Sequence, residues 1–81
     1  MIRVHLSAGL RSWTGGEAWV EVEAGTVRRL IRELDSRFPG LGEQLQDGMS
    51  VAINGDIVAD ALFEELPDGA EVHFLPAISG G

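Results

Sequence analysis

The group best placed to do covalent chemistry in this sequence is the carboxylate at its end. The last residues read Pro76-Ala77-Ile78-Ser79-Gly80-Gly81. A terminal carboxyl with an ordinary pKa of about 3.5 is ionised at neutral pH. Its oxygen can attack the α-phosphorus of ATP and give an acyl-adenylate, whose carbonyl then accepts sulfide or another nucleophile. Glycine at the last two positions lets the backbone pass where a Cβ would clash. The five residues after Pro76 extend by roughly 17 Å, enough to enter a partner's active-site channel. Thiol and side-chain amine nucleophiles are missing, leaving only the Met1 amine: the chain has no cysteine, and its six Lys/Arg positions are all arginine. No thiolate, Cys-ligated zinc, disulfide or lysine Schiff base can form. Gly81 is therefore the expected reactive position. Gly80, Ser79, Ile78, Ala77 and Pro76 are the tail that presents it.

Other groupings are weaker. Gly9, Gly15 and Gly16 lack the spacing of a phosphate loop. Ser7, Ser12 and Ser79 have no argument for a His-acid partner. His5 and His73 are too few to make a metal site without a carboxylate or Cys pattern around them. Glu64, Glu65, Asp68 and Asp60 form an acidic cluster. A solvated surface is its default reading, and pairing with basic residues of an activating enzyme is the second.

The elements that must position the tail follow from periodicity. Ile2, Val4 and Leu6 alternate with Arg3 and His5, the period of a half-buried strand. Residues 7–16 read as a glycine-containing loop. Ala18, Val20 and Val22 alternate with Trp19 and Glu21 in a second strand. Val27, Leu30, Ile31, Leu34 and Phe38 then mark one face of a helix. Thr26 is its expected N-cap and Pro39-Gly40 its stop. Leu41 and Leu45 suit a short extra turn. Asn54-Gly55 between apolar runs signals a two-residue hairpin with a type I′ turn. Leu62 and Leu66 are expected to plug the core, Pro67-Asp68-Gly69 to turn, and Val72 and Phe74 to lie in a last strand.

The order β-β-α-β-β-β has one apolar helix stripe and one apolar sheet face, which implies an α+β two-layer domain. The expected fold is the ubiquitin-like β-grasp: a mixed sheet of about five strands packed on one main helix. Residues 1–76 form the domain and 77–81 the extended tail. In that arrangement the first and last strands are parallel neighbours. His5, His73, Trp19 and Leu75 would then share the open sheet face, as a surface for docking partners.

Composition sets the remaining bounds. At 81 residues the chain is one domain, and 44% hydrophobic content suffices for one modest core. A net charge of −7 argues against nucleic acid and favours basic protein surfaces. No apolar run approaches the ~20 residues of a membrane span. The absence of cysteine fits a cytoplasmic location.

Several segments together resemble the MoaD/ThiS family of ubiquitin-like sulfur carriers. They are Ala8-Gly9-Leu10-Arg11 with Gly15, Gly25-Thr26-Val27, Phe38-Pro39, Val51-Ala52-Ile53-Asn54-Gly55, Leu66-Pro67-Asp68-Gly69-Ala70-Glu71-Val72, and Phe74 to Gly81. The tail looks most like that of the molybdopterin synthase small subunit. The resemblance implies that an E1-like adenylyltransferase, using ATP, activates Gly81. A sulfur donor then makes the thiocarboxylate, and a recipient enzyme takes the sulfur. That recipient would be the molybdopterin synthase large subunit, in molybdenum cofactor synthesis. Leu6-Ser7 and Leu75-Pro76-Ala77 depart from that subunit's aromatic pattern. They leave open a carrier for cysteine, thiamine or another metabolite, or a protein modifier. The resemblance implies a carrier with no independent active site and no cofactor of its own.

Overall fold

The computed structural model describes residues 1–46, 49–58 and 61–76. Five strands form one sheet: β1 (Ile2–Leu6), β2 (Trp19–Val22), β3 (Met49–Ile53), β4 (Asp56–Val58) and β5 (Glu71–Pro76). Two helices, α1 (Val27–Arg37) and α2 (Leu41–Gln46), complete the regular structure together with two 3₁₀ segments. The strand order is β2-β1-β5-β3-β4. Strands β1 and β5 pair in parallel, and the other neighbours are antiparallel. This is the expected β-grasp arrangement, with α1 packed on one face of a mixed sheet.

Helix α1 begins where its sequence says it should. Thr26 is extended, and its side-chain oxygen accepts from the Arg29 amide at 3.2 Å. Val27, Leu30, Ile31 and Leu34 are buried, which is the i, i+3, i+4, i+7 stripe. They meet Ile2, Val4, Leu6, Val20, Val22, Val51, Ile53, Val72 and Phe74 from the sheet. After α1, the Asp35 carboxylate accepts from the amides of Gly40 and Gly42 at 3.1 and 3.0 Å. It thereby satisfies donors at the start of α2 that the helix leaves unpaired. A Cβ on Gly42 would lie 2.9 Å from that of Asp35, so the close approach requires glycine there.

The β3–β4 hairpin turns through Asn54 (φ 50°) and Gly55 (φ 89°), the two left-handed residues of a type I′ turn. Asn54 has a second role. Its amide donates to the Glu71 carbonyl at 2.8 Å, and its side chain accepts from the Glu71 amide at 2.9 Å. The turn is thus clipped to the first residue of β5.

Two expectations need correction. Residues Ala8–Thr14 form a 3₁₀ segment, not an open loop. Leu10 is buried there, and the Thr14 hydroxyl lies 2.7 Å from the Glu17 carbonyl. The short turn expected at Leu41 and Leu45 is present, as the six-residue helix Leu41–Gln46 that buries both leucines. Leu66 is buried, but Leu62 is not a core residue. The 3₁₀ turn Ala61–Phe63 packs Ala61 against the core and turns Leu62 and Phe63 outward.

Phe74 is fully buried in the central strand. Phe74→Ala should cost ~3–5 kcal/mol, a large part of a small domain's stability. Urea unfolding followed by Trp fluorescence measures the loss.

Candidate functional site

The side of the sheet away from α1 carries Arg3 and His5 from β1, Trp19 and Glu21 from β2, and Glu71, His73 and Leu75 from β5. Period two dictates this, because Ile2, Val4, Leu6, Val20, Val22, Val72 and Phe74 are committed to the core. Strand register then sets neighbours. His5 lies opposite Trp19 on one side and His73 on the other. His73 lies opposite Ala52, and Ala52 opposite Ile57. One row of side chains therefore crosses all five strands: Trp19, His5, His73, Ala52, Ile57. Leu75, half-buried, stands opposite Ser50 in the next row.

The rings of the row are in contact. The His5 centroid is 4.7 Å from Trp19 and 4.9 Å from His73, and Trp19 and His73 are 5.6 Å apart. Both contacts of Trp19 are edge-to-face, the favoured aromatic geometry. The Arg3 guanidinium sits 4.8 Å from the Trp19 ring centroid as a cation–π contact. His73 Nε2 is 2.9 Å from Glu71 Oε1. That hydrogen bond holds the Glu71 carboxyl below its ordinary pKa. His5 is also displaced. Desolvation, then the positive charges of His73 and Arg11, lower its pKa from the usual 6.5, with Glu71 opposing. Its Nδ1 is buried without a hydrogen-bond partner among the described residues, as is the Ser7 hydroxyl.

All four expected docking residues, His5, His73, Trp19 and Leu75, are thus on one face, and three of them touch. Sequence reading missed Ala52, Ile57 and Ser50. Their signal was available: Ala52 and Ile57 stand out of phase with Val51, Ile53 and Val58. Ile57 is 66% exposed. The centre of the face is aromatic and aliphatic, and charges stand around it. Protein interfaces share that anatomy.

Pro76 is the last residue of β5, with Met49 as its Cα partner. The tail residues Ala77, Ile78, Ser79, Gly80 and Gly81 lie outside the described residues, as does Asp60 of the acidic cluster. Glu64, Glu65 and Asp68 of that cluster are exposed, and Asp68 pairs with the Met1 amine at 2.8 Å. Among the described residues no three His, Asp or Glu side chains are arranged to hold a metal ion. No helix there is long and apolar enough to cross a membrane.

The lowered His5 pKa gives a signed prediction. Between the folded-state value and 6.5 the unfolded chain binds more protons at this site, so stability falls as pH drops through that window. Glu71, whose carboxyl is held low, loses its contribution at still lower pH, as pH falls through its folded value. Urea midpoints compared between pH 7.5 and 5.5 should show a decline in the wild type that His5→Gln reduces.

The family model described as the ThiS family matches residues 4–81, and the chain belongs to this family. The sulfur carrier protein CysO of Mycobacterium tuberculosis is 29% identical over 91 aligned residues, covering 99% of this chain and 98% of the relative. The crystal structure of the Amycolatopsis orientalis BexX/CysO complex contains a chain that superposes with a TM-score of 0.88 at 31% identity, with full coverage of both. A molybdopterin converting factor subunit 1 from Pyrococcus furiosus superposes with a TM-score of 0.68 at 28% identity, covering 95% of this chain and 97% of the other.

Proposed function

We propose that this ThiS-family chain carries sulfur as a thiocarboxylate on Gly81, docking its partners through the Trp19–His5–His73–Leu75 face. The observation that carries the reading is a conjunction. The family match runs through the Gly80-Gly81 ending, and β5 leads to that tail directly from the docking face. An E1-like adenylyltransferase supplies ATP chemistry that this chain lacks. The Gly81 carboxylate attacks the α-phosphorus and pyrophosphate leaves. Sulfide, delivered by a sulfur donor, attacks the acyl carbonyl, and AMP leaves with the former carboxylate oxygen. The C–S bond so formed is the cargo that a recipient enzyme takes. The domain contributes recognition and holds the tail's origin in a fixed place.

For the recipient, similarity to CysO at a TM-score of 0.88 supports a CysO-like role in cysteine synthesis above the molybdopterin assignment that the tail suggests. A molybdopterin converting factor is the second reading, supported by the Pyrococcus furiosus structure. Supplying the thiocarboxylate to a cysteine-synthase-like enzyme or to a pterin-binding large subunit decides between them by which one consumes it. Lysine-linked conjugates in extract would mark a protein modifier instead.

Incubation with the adenylyltransferase, ATP and sulfide should raise the intact mass by about 16 Da, sulfur replacing oxygen. No gain with an enzyme that adenylates Gly81 would refute the carrier chemistry. Deleting Gly81 should abolish the gain while leaving the urea midpoint unchanged. Trp19→Ala and Leu75→Ala should each weaken binding to the adenylyltransferase about tenfold, as expected for truncating an interface anchor at 1–2 kcal/mol. Surface plasmon resonance on the immobilised enzyme checks this.

A further inference from the structure

We infer that a partner docked on the open face excludes the proton from His5, so that the carrier engages only while this imidazole is neutral. The inference rests on the docking reading above and adds a condition to it.

The geometry around His5 is asymmetric. Its ring is packed between Trp19 and His73 at 4.7 and 4.9 Å, and its Nδ1 is buried without a partner among the described residues. A neutral ring with its proton on Nε2 leaves only a lone pair unmet at Nδ1. A protonated ring must leave an N–H unmet there, and a buried unpaired charged donor is the costlier defect.

The neighbours do not relieve that cost. From β1, Arg3 is cationic, and its guanidinium is engaged on Trp19. From the 3₁₀ segment, Arg11 adds positive charge, with its Nε donating to the Leu6 carbonyl at 3.2 Å. From β2, Glu21 stands opposite Arg3 rather than His5. From β5, the charge of His73 opposes an imidazolium at His5; Glu71 is, among the described residues, the carboxylate that favours one, and it is already bonded to His73. From β3, Ser50 and Ala52 bring no charge. In the free chain, water over the face is what remains to solvate an imidazolium. A docked partner removes it.

The sign follows by linkage. The docked carrier binds fewer protons at His5 than the free one, so affinity is highest at neutral pH. It falls about tenfold per pH unit once the pH drops below the His5 pKa of the free chain.

The test uses the full-length carrier and the adenylyltransferase that gives the mass gain described above. NMR titration of the free carrier first locates the His5 pKa. Binding is then measured from pH 5 to 8 for wild type, His5→Gln and Trp19→Ala. The expected result is a wild-type Kd that is level at neutral pH and rises below the His5 pKa. His5→Gln should keep only the slope due to the other titratable groups of the interface, His73, Glu71 and the enzyme's own, whatever its affinity at pH 8. Equal slopes for wild type and His5→Gln, with Trp19→Ala weakened, overturn the proton exclusion and leave the docking face standing. Trp19→Ala binding like wild type at every pH overturns the docking reading and this inference with it.

Discussion

Strands β1 and β5 come from opposite ends of the sequence and run side by side, in parallel, at the middle of the sheet. A parallel pair cannot be closed by a tight turn, so the chain between them must cross. The rest of the molecule answers that demand. Helix α1 makes the crossing and roofs one face. The β3–β4 hairpin flanks β5 on its free side. The Asn54 clip fixes where β5 starts by pairing both backbone groups of Glu71. Register along β1–β5 then places Leu6 beside Phe74 in the core and His5 beside His73 outside. A one-residue slip of β5 would exchange its two sets, putting His73 under α1 and Phe74 in water. The large apolar area around Phe74 therefore also fixes the outer face.

The sheet has one covered face and one open face, and an open face with aromatic residues invites aggregation. This chain limits the risk in three ways. Its edge strands are short, four residues in β2 and three in β4. Arg3 covers part of the Trp19 ring. A net charge of −7 keeps copies apart. The face that survives has an aromatic and aliphatic centre with its charges around it.

Most of this was legible in the sequence, because most of it is set by periodicity. Alternation in β1, β2 and β5 and the stripe of α1 identify which residues are inside. The parallel pairing of the first and last strands then brings His5, His73 and Trp19 together. What sequence reading missed depended on local geometry that no period encodes. Ala8–Thr14 carries glycine and polar residues like a loop, yet one buried leucine and the Thr14 hydroxyl bond organise it into a 3₁₀ segment. Leu62 has the right chemistry for the core, but in the 3₁₀ turn Ala61 is the residue packed against it and Leu62 turns out. Asn54 is plain as a turn residue. Its bonds to Glu71 link positions distant in sequence and become visible only when the strands are assembled.

In the proposed function the chemistry and the recognition are separated, and the separation has a physical reason. A terminal acyl group that is to be activated must reach into another enzyme, so it needs a narrow, conformationally free lead. Glycine supplies that and supplies no binding energy. Affinity must then come from elsewhere, and flexible residues ordered on binding would cost entropy. A sheet face whose side chains are already fixed by neighbouring strands is a low-entropy source of contact area. Trp19, His5 and His73 are ordered against one another before any partner arrives. The strand that carries His73 and Leu75 ends at Pro76, where the tail sequence begins, so under the proposed function docking the face would also set the tail's starting point. Affinity gained at the face raises the local concentration of the Gly81 carboxylate at a partner's active site without requiring the tail itself to bind tightly. A cargo that must be released after each transfer benefits from that division.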